Sequence, residues 1–447
     1  MTRAGRWPIG PLLLVLAAGG LAQEDPFGAA PDPFGAAPDP FGEAPDPFGA
    51  APVGSVAPVG SPGGAAPPAG EGAPGFDPDA VELAHEAPGF ELHGRANLTM
   101  ALSNDDDQVE LLEDNSLELS SLDLYAQWFP LTWIGAQGEV ELETELDDGE
   151  RRLEVDLELL VLELRPLGHE RLRLRGGWFP VPFGVERRYY APPRNELATR
   201  PAPFLRLFPG DYSDLGLMLW WRQPVAPWGA ELELEAALVR GLEDPRLNAE
   251  GVRSLAVEGR PEAFQSDENG EPQLVGRIGL TLVDLDPGRK GEHPWAQALP
   301  GSLRLTLGFS GLLGHWDDRA RQRVAFVGYD AQLELGGLRL RVEAVLSRIE
   351  GLGEFGRDQK GGGLYALVAY HWHPDLFLLE ELFAAFRYEV LDPDHTRRDE
   401  LELERYHWGL GWSPVQGLLF KLGWELTRPS GGPDSRSVVY LEAGYSF

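Results

Sequence analysis

From about residue 90 onward the chain alternates. In Glu139-Val140-Glu141-Leu142-Glu143-Thr144-Glu145-Leu146 the odd positions alternate with the even ones as charged against uncharged. Leu153-Glu154-Val155-Asp156-Leu157-Glu158-Leu159 puts its acids on the even positions, and Arg171-Leu172-Arg173-Leu174-Arg175 does the same with positive charge on the odd ones. Glu231-Leu232-Glu233-Leu234-Glu235, Ser302-Leu303-Arg304-Leu305-Thr306-Leu307 and Leu401-Glu402-Leu403-Glu404 continue the pattern. Successive side chains of a strand point to opposite faces, so this spacing builds ribbons with one apolar and one charged face.

A soluble sandwich also alternates, so the question is which face meets water. Three features turn the apolar face toward lipid. No apolar run after the first 22 residues approaches the roughly 20 residues of a membrane helix. The candidate strands run about 10–14 residues, nearer the membrane-strand length than the usual 5–6 of soluble sheets. Aromatics gather at strand ends: Trp128 and Trp133, then Trp220, Trp221 and Trp228, then Trp372 and Trp412, as in an interfacial girdle. The fold class is therefore an all-β, transmembrane antiparallel β-barrel preceded by a disordered Pro/Gly/Ala-rich tail.

Candidate strands lie near 90–102, 117–128, 134–147, 151–164, 170–179, 213–222, 228–240, 273–284, 302–313, 323–335, 338–349, 363–373, 380–391, 401–412, 417–428 and 437–447. That is about 16, with 14 or 18 also open. The links 129–133, 165–169, 223–227, 336–337, 374–379 and 413–416 are short and read as periplasmic turns. The alternate set (103–116, 180–212, 241–272, 314–322, 350–362, 392–400 and 429–436) is longer and reads as outer loops. The short link 147–150 and the long one 285–301 break that rule.

Residues 1–22 read as a secretory signal: Arg3 and Arg6, then Leu12-Leu13-Leu14-Val15-Leu16-Ala17-Ala18, then the small residues around Ala22. Residues 23–89 read as a periplasmic tether. Asp-Pro-Phe-Gly opens at Asp25, Asp32, Asp39 and Asp46, and the Pro/Gly/Ala run that follows cannot bury enough to offset its chain entropy. Residues 90–447 are the barrel.

Composition narrows the function. The 71 acidic side chains against 38 Lys and Arg exclude a general nucleic-acid binder. The absence of cysteine removes disulfides, thiolate metal sites and a thiol nucleophile. No cofactor motif is present. His371-Trp372-His373 could chelate a metal but lacks an evident third ligand, and Asp105-Asp106-Asp107 reads as a solvated charge run. No Ser/His/Asp cluster points to an enzyme.

Two resemblances follow. Val439, Leu441, Ala443, Tyr445 and Phe447 put an apolar or small residue at every second position and close on an aromatic. This resembles the last strand of outer-membrane barrel proteins, which implies that Tyr445 and Phe447 are read by the barrel-assembly machinery. The stretch 172–186, Leu-Arg-Leu-Arg-Gly-Gly-Trp-Phe-Pro-Val-Pro-Phe-Gly-Val-Glu, resembles a segment of the phosphate-selective porin family, the porin O and P type. Arg200-Pro201-Ala202-Pro203 and Asp211-Tyr212-Ser213-Asp214-Leu215-Gly216 fit the same pattern. The resemblance implies a 16-stranded, often trimeric channel with an inward-folded third loop.

The link 180–212 is the third outer loop by the strand count. Its Arg187, Arg188, Arg194, Arg200 and Arg206 outnumber its acids and are the candidate constriction for anions. The competing reading pairs them with lumen carboxylates that hold the loop in place. Candidate pore-lining groups are Arg171, Arg173, Arg175, Glu141, Glu143, Asp156, Glu231 and Glu233. The expectation is a passive channel of unresolved ion preference. Its expected partners are outer-membrane lipid and lipopolysaccharide, the assembly machinery and other copies in a homotrimer. Two readings stay beside it: a structural barrel whose tail binds the cell wall or a periplasmic partner, and a barrel enzyme.

Overall fold

The computed structural model describes residues 89–103, 117–147, 150–166, 171–186, 195–208, 212–226, 228–247, 253–256, 271–285, 301–316, 321–352, 357–374, 376, 378–395, 403–415, 417–429 and 435–446. The expectations for the signal, the tether, Asp105-Asp106-Asp107 and Phe447 fall outside these residues.

The strands are β1 (Gly89–Ser103), β2 (Leu117–Leu131), β3 (Ile134–Asp147), β4 (Glu150–Leu164), β5 (Leu172–Pro180), β6 (Ser213–Pro224), β7 (Glu231–Val239), β8 (Glu243–Leu247) and β9 (Arg253–Ala256). They continue as β10 (Gln273–Leu285), β11 (Leu303–His315), β12 (Arg323–Leu335), β13 (Leu338–Ile349), β14 (Gln359–Trp372), β15 (Glu381–Asp392), β16 (Leu403–Val415), β17 (Leu418–Pro429) and β18 (Arg436–Ser446). Sixteen of them form one closed antiparallel barrel in which β18 pairs back onto β1. The hairpin β8–β9 stands outside the ring as a two-stranded sheet within the link from β7 to β10. The strand reading did not foresee it.

Both ends of the ring's chain lie at the same rim, called here the terminal rim. The opposite rim carries the longer links and is called the loop rim. A two-residue turn, Gly336-Gly337, joins β12 to β13, and Gly336 there has φ 58°, a conformation glycine adopts without a Cβ clash.

The two faces are inverted relative to a soluble protein. Leu160, Leu162, Leu217, Leu274, Leu313, Tyr370 and Leu410 point outward and are exposed. Their strand neighbours, including Glu163, Arg277, Ser310, Glu343, Arg387, Glu389 and His407, point inward and are buried. An apolar band of this extent is stable only against hydrocarbon, since leaving a Leu-sized side chain in water forfeits about 1.5–3 kcal/mol. Closure leaves no strand edge inside that band with unpaired backbone groups. The fold is that of a membrane-spanning β-barrel.

Bulges re-phase the alternation where the sequence doubles a class. Along β4, Leu153 and Val155 face out, but so do Leu160 and Leu162. The register shifts between Glu139 and Val140, opposite Leu157 and Leu159, and the extra residue switches the inward set from even to odd numbers. Trp128, Trp133, Trp228, Trp372 and Trp412 are exposed, as a girdle requires. Trp220 is a correction: it is buried, on the inward face of β6 opposite Arg173. Its strand phase, and not its nearness to the turn at Pro224, decides its direction.

Candidate functional site

The loop between β5 and β6 is built from the inside of the barrel. Val181, Phe183, Val185, Leu197, Ala202, Phe204, Leu207, Phe208 and Tyr212 are all buried. Phe183 stacks on Phe208 at 4.2 Å, and Phe208 meets Phe326 of β12 edge-on at 5.2 Å. Phe204, in a single π-helical turn over Pro203–Leu207, meets Tyr365 of β14 at 6.2 Å. Aromatic pairs at these separations add about 0.5–1.5 kcal/mol each beyond burial. The loop thus carries its own apolar core across a lumen otherwise lined by polar groups.

Hydrogen bonds fix its path. Gly184 N donates to Ser310 Oγ of β11 at 2.9 Å. Val185 N and Glu186 N donate to the two oxygens of Glu343 on β13, at 2.8 and 3.1 Å, and Tyr365 Oη adds a third bond at 3.0 Å. Gly184 has φ 71°, and a Cβ there would lie 2.2 Å from Glu343 Oε1, so this approach needs glycine.

The second half of the loop reaches β15–β17, on the far side of the ring from β5. Arg387 of β15 donates to the carbonyls of Thr199 and Arg200 at 2.8 and 3.0 Å. Arg405 of β16 donates to the carbonyl of Arg200 at 2.5 Å. Both guanidiniums also bind Glu389, at 2.5 and 2.8 Å, and Glu389 accepts the Ala202 N–H. Thr199 Oγ1 donates to Glu425 of β17 at 3.1 Å and lies 3.1 Å from His407 Nδ1.

Glu196, fully enclosed in the loop, faces Arg339 at 3.5 Å, Arg341 at 3.8 Å and His371 Nε2 at 3.8 Å. Burial alone would raise its pKa. Arg341, then His371 and Arg339, outweigh that and hold it at about 2.

The expected constriction residues divide. Arg187, Arg188 and Arg194 lie outside the described residues. Arg206 sits in the π-helical turn, its side chain likewise undescribed. Arg200 is buried, its Nε 3.5 Å from Glu186 within the same loop.

The expected pore-lining residues lie on the other half of the wall, on β3–β7. Arg175 and Arg165 share Glu163 at 2.8 and 2.7 Å. Arg173 lies over Trp220 at 4.4 Å. Arg171 is exposed in the turn before β5, its carbonyl accepting Arg222 N at 2.9 Å. Glu141 and Asp156 are register partners across β3 and β4, with Asp123 of β2 on the other side of Glu141. The side chain of Glu143 is outside the description. Glu231 is 3.0 Å from Arg222, and Glu233 lies between Arg277 at 3.5 Å and Arg222 at 3.6 Å.

Ser310, Glu343, Arg387, Glu389, Arg405, His407 and Glu425 were missed as site residues. Each stands on the inward phase of an alternating strand, which is the signal that could have found them. The His371/His373 pair stands beside Glu381, whose carboxylate is 2.5 Å from His371 Nδ1 and 3.5 Å from His373 Nε2. Among the described residues no group of three His, Asp or Glu side chains is placed to hold a metal ion.

No protein-family model and no curated protein matches this chain. Among solved structures it is similar to an anion-selective porin from Comamonas acidovorans, at 12% identity over 81% of this chain and 100% of that one, TM-score 0.49. It is also similar to a loop L8 deletion mutant of OmpT, an outer membrane protein of Vibrio cholerae, at 10% identity over 81% and 100%, TM-score 0.48. A third is the outer membrane channel DcaP of Acinetobacter baumannii, at 11% identity over 80% and 97%, TM-score 0.48. The barrel class itself stands on this chain's own strand pairing and inverted faces.

Proposed function

We propose that this chain is an outer-membrane porin: a water-filled channel through which small hydrophilic solutes or ions diffuse passively, with no enzymatic step. The observation that carries this reading is the loop between β5 and β6, over its described residues 181–186, 195–208 and 212. It crosses a lumen walled by ionised side chains and is hydrogen-bonded to the opposite wall at Glu343, Arg387 and Arg405. Ionised walls hold water, and a loop fixed between them sets the width of the path.

In this reading Arg187, Arg188, Arg194, Arg200 and Arg206 bias the narrowing toward anions, with phosphate as the sharper version of that preference. The outer face meets lipid and lipopolysaccharide, the assembly machinery reads Tyr445 and Phe447, and copies associate as a trimer. The tail, in the periplasm, binds the cell wall or a periplasmic partner.

The test is reconstitution of the purified chain in planar bilayers. The expected result is discrete current steps, with reversal potentials in a salt gradient that shift when Arg187 and Arg188 are neutralised. A barrel that inserts and passes no current overturns the channel reading, and unchanged reversal potentials remove those two arginines from the path.

A further inference from the structure

On the wall formed by β4, β5 and β6, toward the terminal rim, four guanidiniums gather: Arg165, Arg173, Arg175 and Arg222. Three have carboxylate partners. Arg165 and Arg175 bind the two oxygens of Glu163, and Arg222 Nε is 3.0 Å from Glu231. Arg173 differs. It is 6% exposed, and among the described residues its side chain makes no hydrogen bond and no ion pair within 4 Å. Its guanidinium lies over the Trp220 indole at 4.4 Å, and Arg222 lies over the same ring at 5.0 Å.

A buried Nε–H with no acceptor is costly, and the charges of Arg175, Arg165 and Arg222 add to that cost. The chain has carboxylates in excess, with a net charge of −33, yet among the described residues none forms an ion pair with Arg173 within 4 Å. Glu163, the acid whose charge acts on Arg173, has both oxygens engaged by Arg165 and Arg175. The ring face of Trp220 fixes the plane of the guanidinium through a cation–π contact and leaves its edge for a planar, two-point partner.

We propose that Arg173 anchors a lumen subsite for one oxyanion group, a carboxylate or a phosphate, bound edge-on. Arg175 and Arg222 supply the surrounding positive field, and Trp220 is a positioning residue. This rests on the channel reading and adds to it a solute class and a place on the wall separate from the long loop.

The experiment measures chloride current through the full chain in planar bilayers while sodium phosphate or sodium acetate is added. The expected result is a saturable fall in current with one or both anions. Arg173→Gln raises the half-blocking concentration at least tenfold, and Arg173→Lys, which keeps the charge but not the two-point edge, raises it by a smaller factor. Trp220→Leu weakens block without removing charge. Arg428→Gln, which removes a guanidinium exposed on the outer face, leaves block unchanged. Block by phosphate alone or acetate alone identifies which oxyanion the site takes. Conducting wild-type channels with no block overturn the subsite, as does an Arg173→Gln channel that conducts and is blocked like the wild type. Inserted barrels with no current at all overturn the channel reading instead.

Discussion

Arg387 and Arg405, on β15 and β16, direct their donors into the loop backbone as well as to Glu389. Arg165, Arg175 and Arg222, on the opposite side of the ring, bind only carboxylates of their own or adjacent strands among the pairs described above. The first set ties the wall to the loop, and the second ties carboxylates within the wall. The same side chain therefore fastens the loop on one half of the barrel and pairs within the wall on the other, where in the channel reading proposed above it also sets the field. Local sequence does not separate them, since each is an arginine in the inward phase of an alternating strand or, for Arg165, one residue past its end.

The sharpest way to break this comparison is Arg387→Ala. It leaves Glu389 enclosed with one guanidinium fewer and strips donors from two carbonyls, so the expected loss is about 3–5 kcal/mol, read by urea unfolding in detergent. A loss near zero would place Arg387 with the field-setting group. Glu343→Ala comes next. It leaves Val185 N, Glu186 N and Tyr365 Oη without their acceptor, with an expected cost of about 2–3 kcal/mol and a loop no longer pinned at its first half. Single-channel conductance should rise at least twofold and become noisier; an unchanged trace would show that the loop does not limit the path.

Arg222→Gln tests the other half. Its pair with Glu231 is partly exposed, so stability should change by less than about 1 kcal/mol. The reversal potential should nevertheless move toward cation preference. If stability falls as steeply as for Arg387, the two halves do not differ.

The smallest expected effect is the acid dependence from Glu196. Its carboxyl is held at about 2, against an ordinary value of 4.5, so its ion pairs stabilise the fold above pH 4.5 and that contribution fades as pH falls toward 2. The melting temperature of Glu196→Gln should therefore approach that of the wild type as pH drops through this window. A constant gap would mean that Glu196 acts through packing alone.

The period-two pattern made most of the barrel legible. Each of the sixteen ring strands lies where alternation placed it, because the inward and outward faces of a single-layer barrel meet chemically opposite surroundings and every residue reports its side. Phase was harder to read. Leu157-Glu158-Leu159 hides a bulge that switches the inward set, and Trp220 sits near a turn but points inward. The loop's inward fold was legible as a resemblance, whereas its anchors were not. Glu343 is 158 residues from Val185, and Arg387 is 188 from Thr199, so no local signal links them. Glu381 escaped notice for a similar reason, since strand pairing and not sequence spacing brings it beside His371.

The pairing of Arg95–Ser103 with Val438–Ser446 has a consequence for biogenesis. The partners of the first strand lie on β18, behind every other ring strand in chain order, so the cylinder cannot be sealed until all sixteen have been made. A polypeptide with so many greasy side chains needs protection in the aqueous phase until both borders are available, and its maturation should be a late, all-at-once zippering rather than a stepwise accretion of finished hairpins.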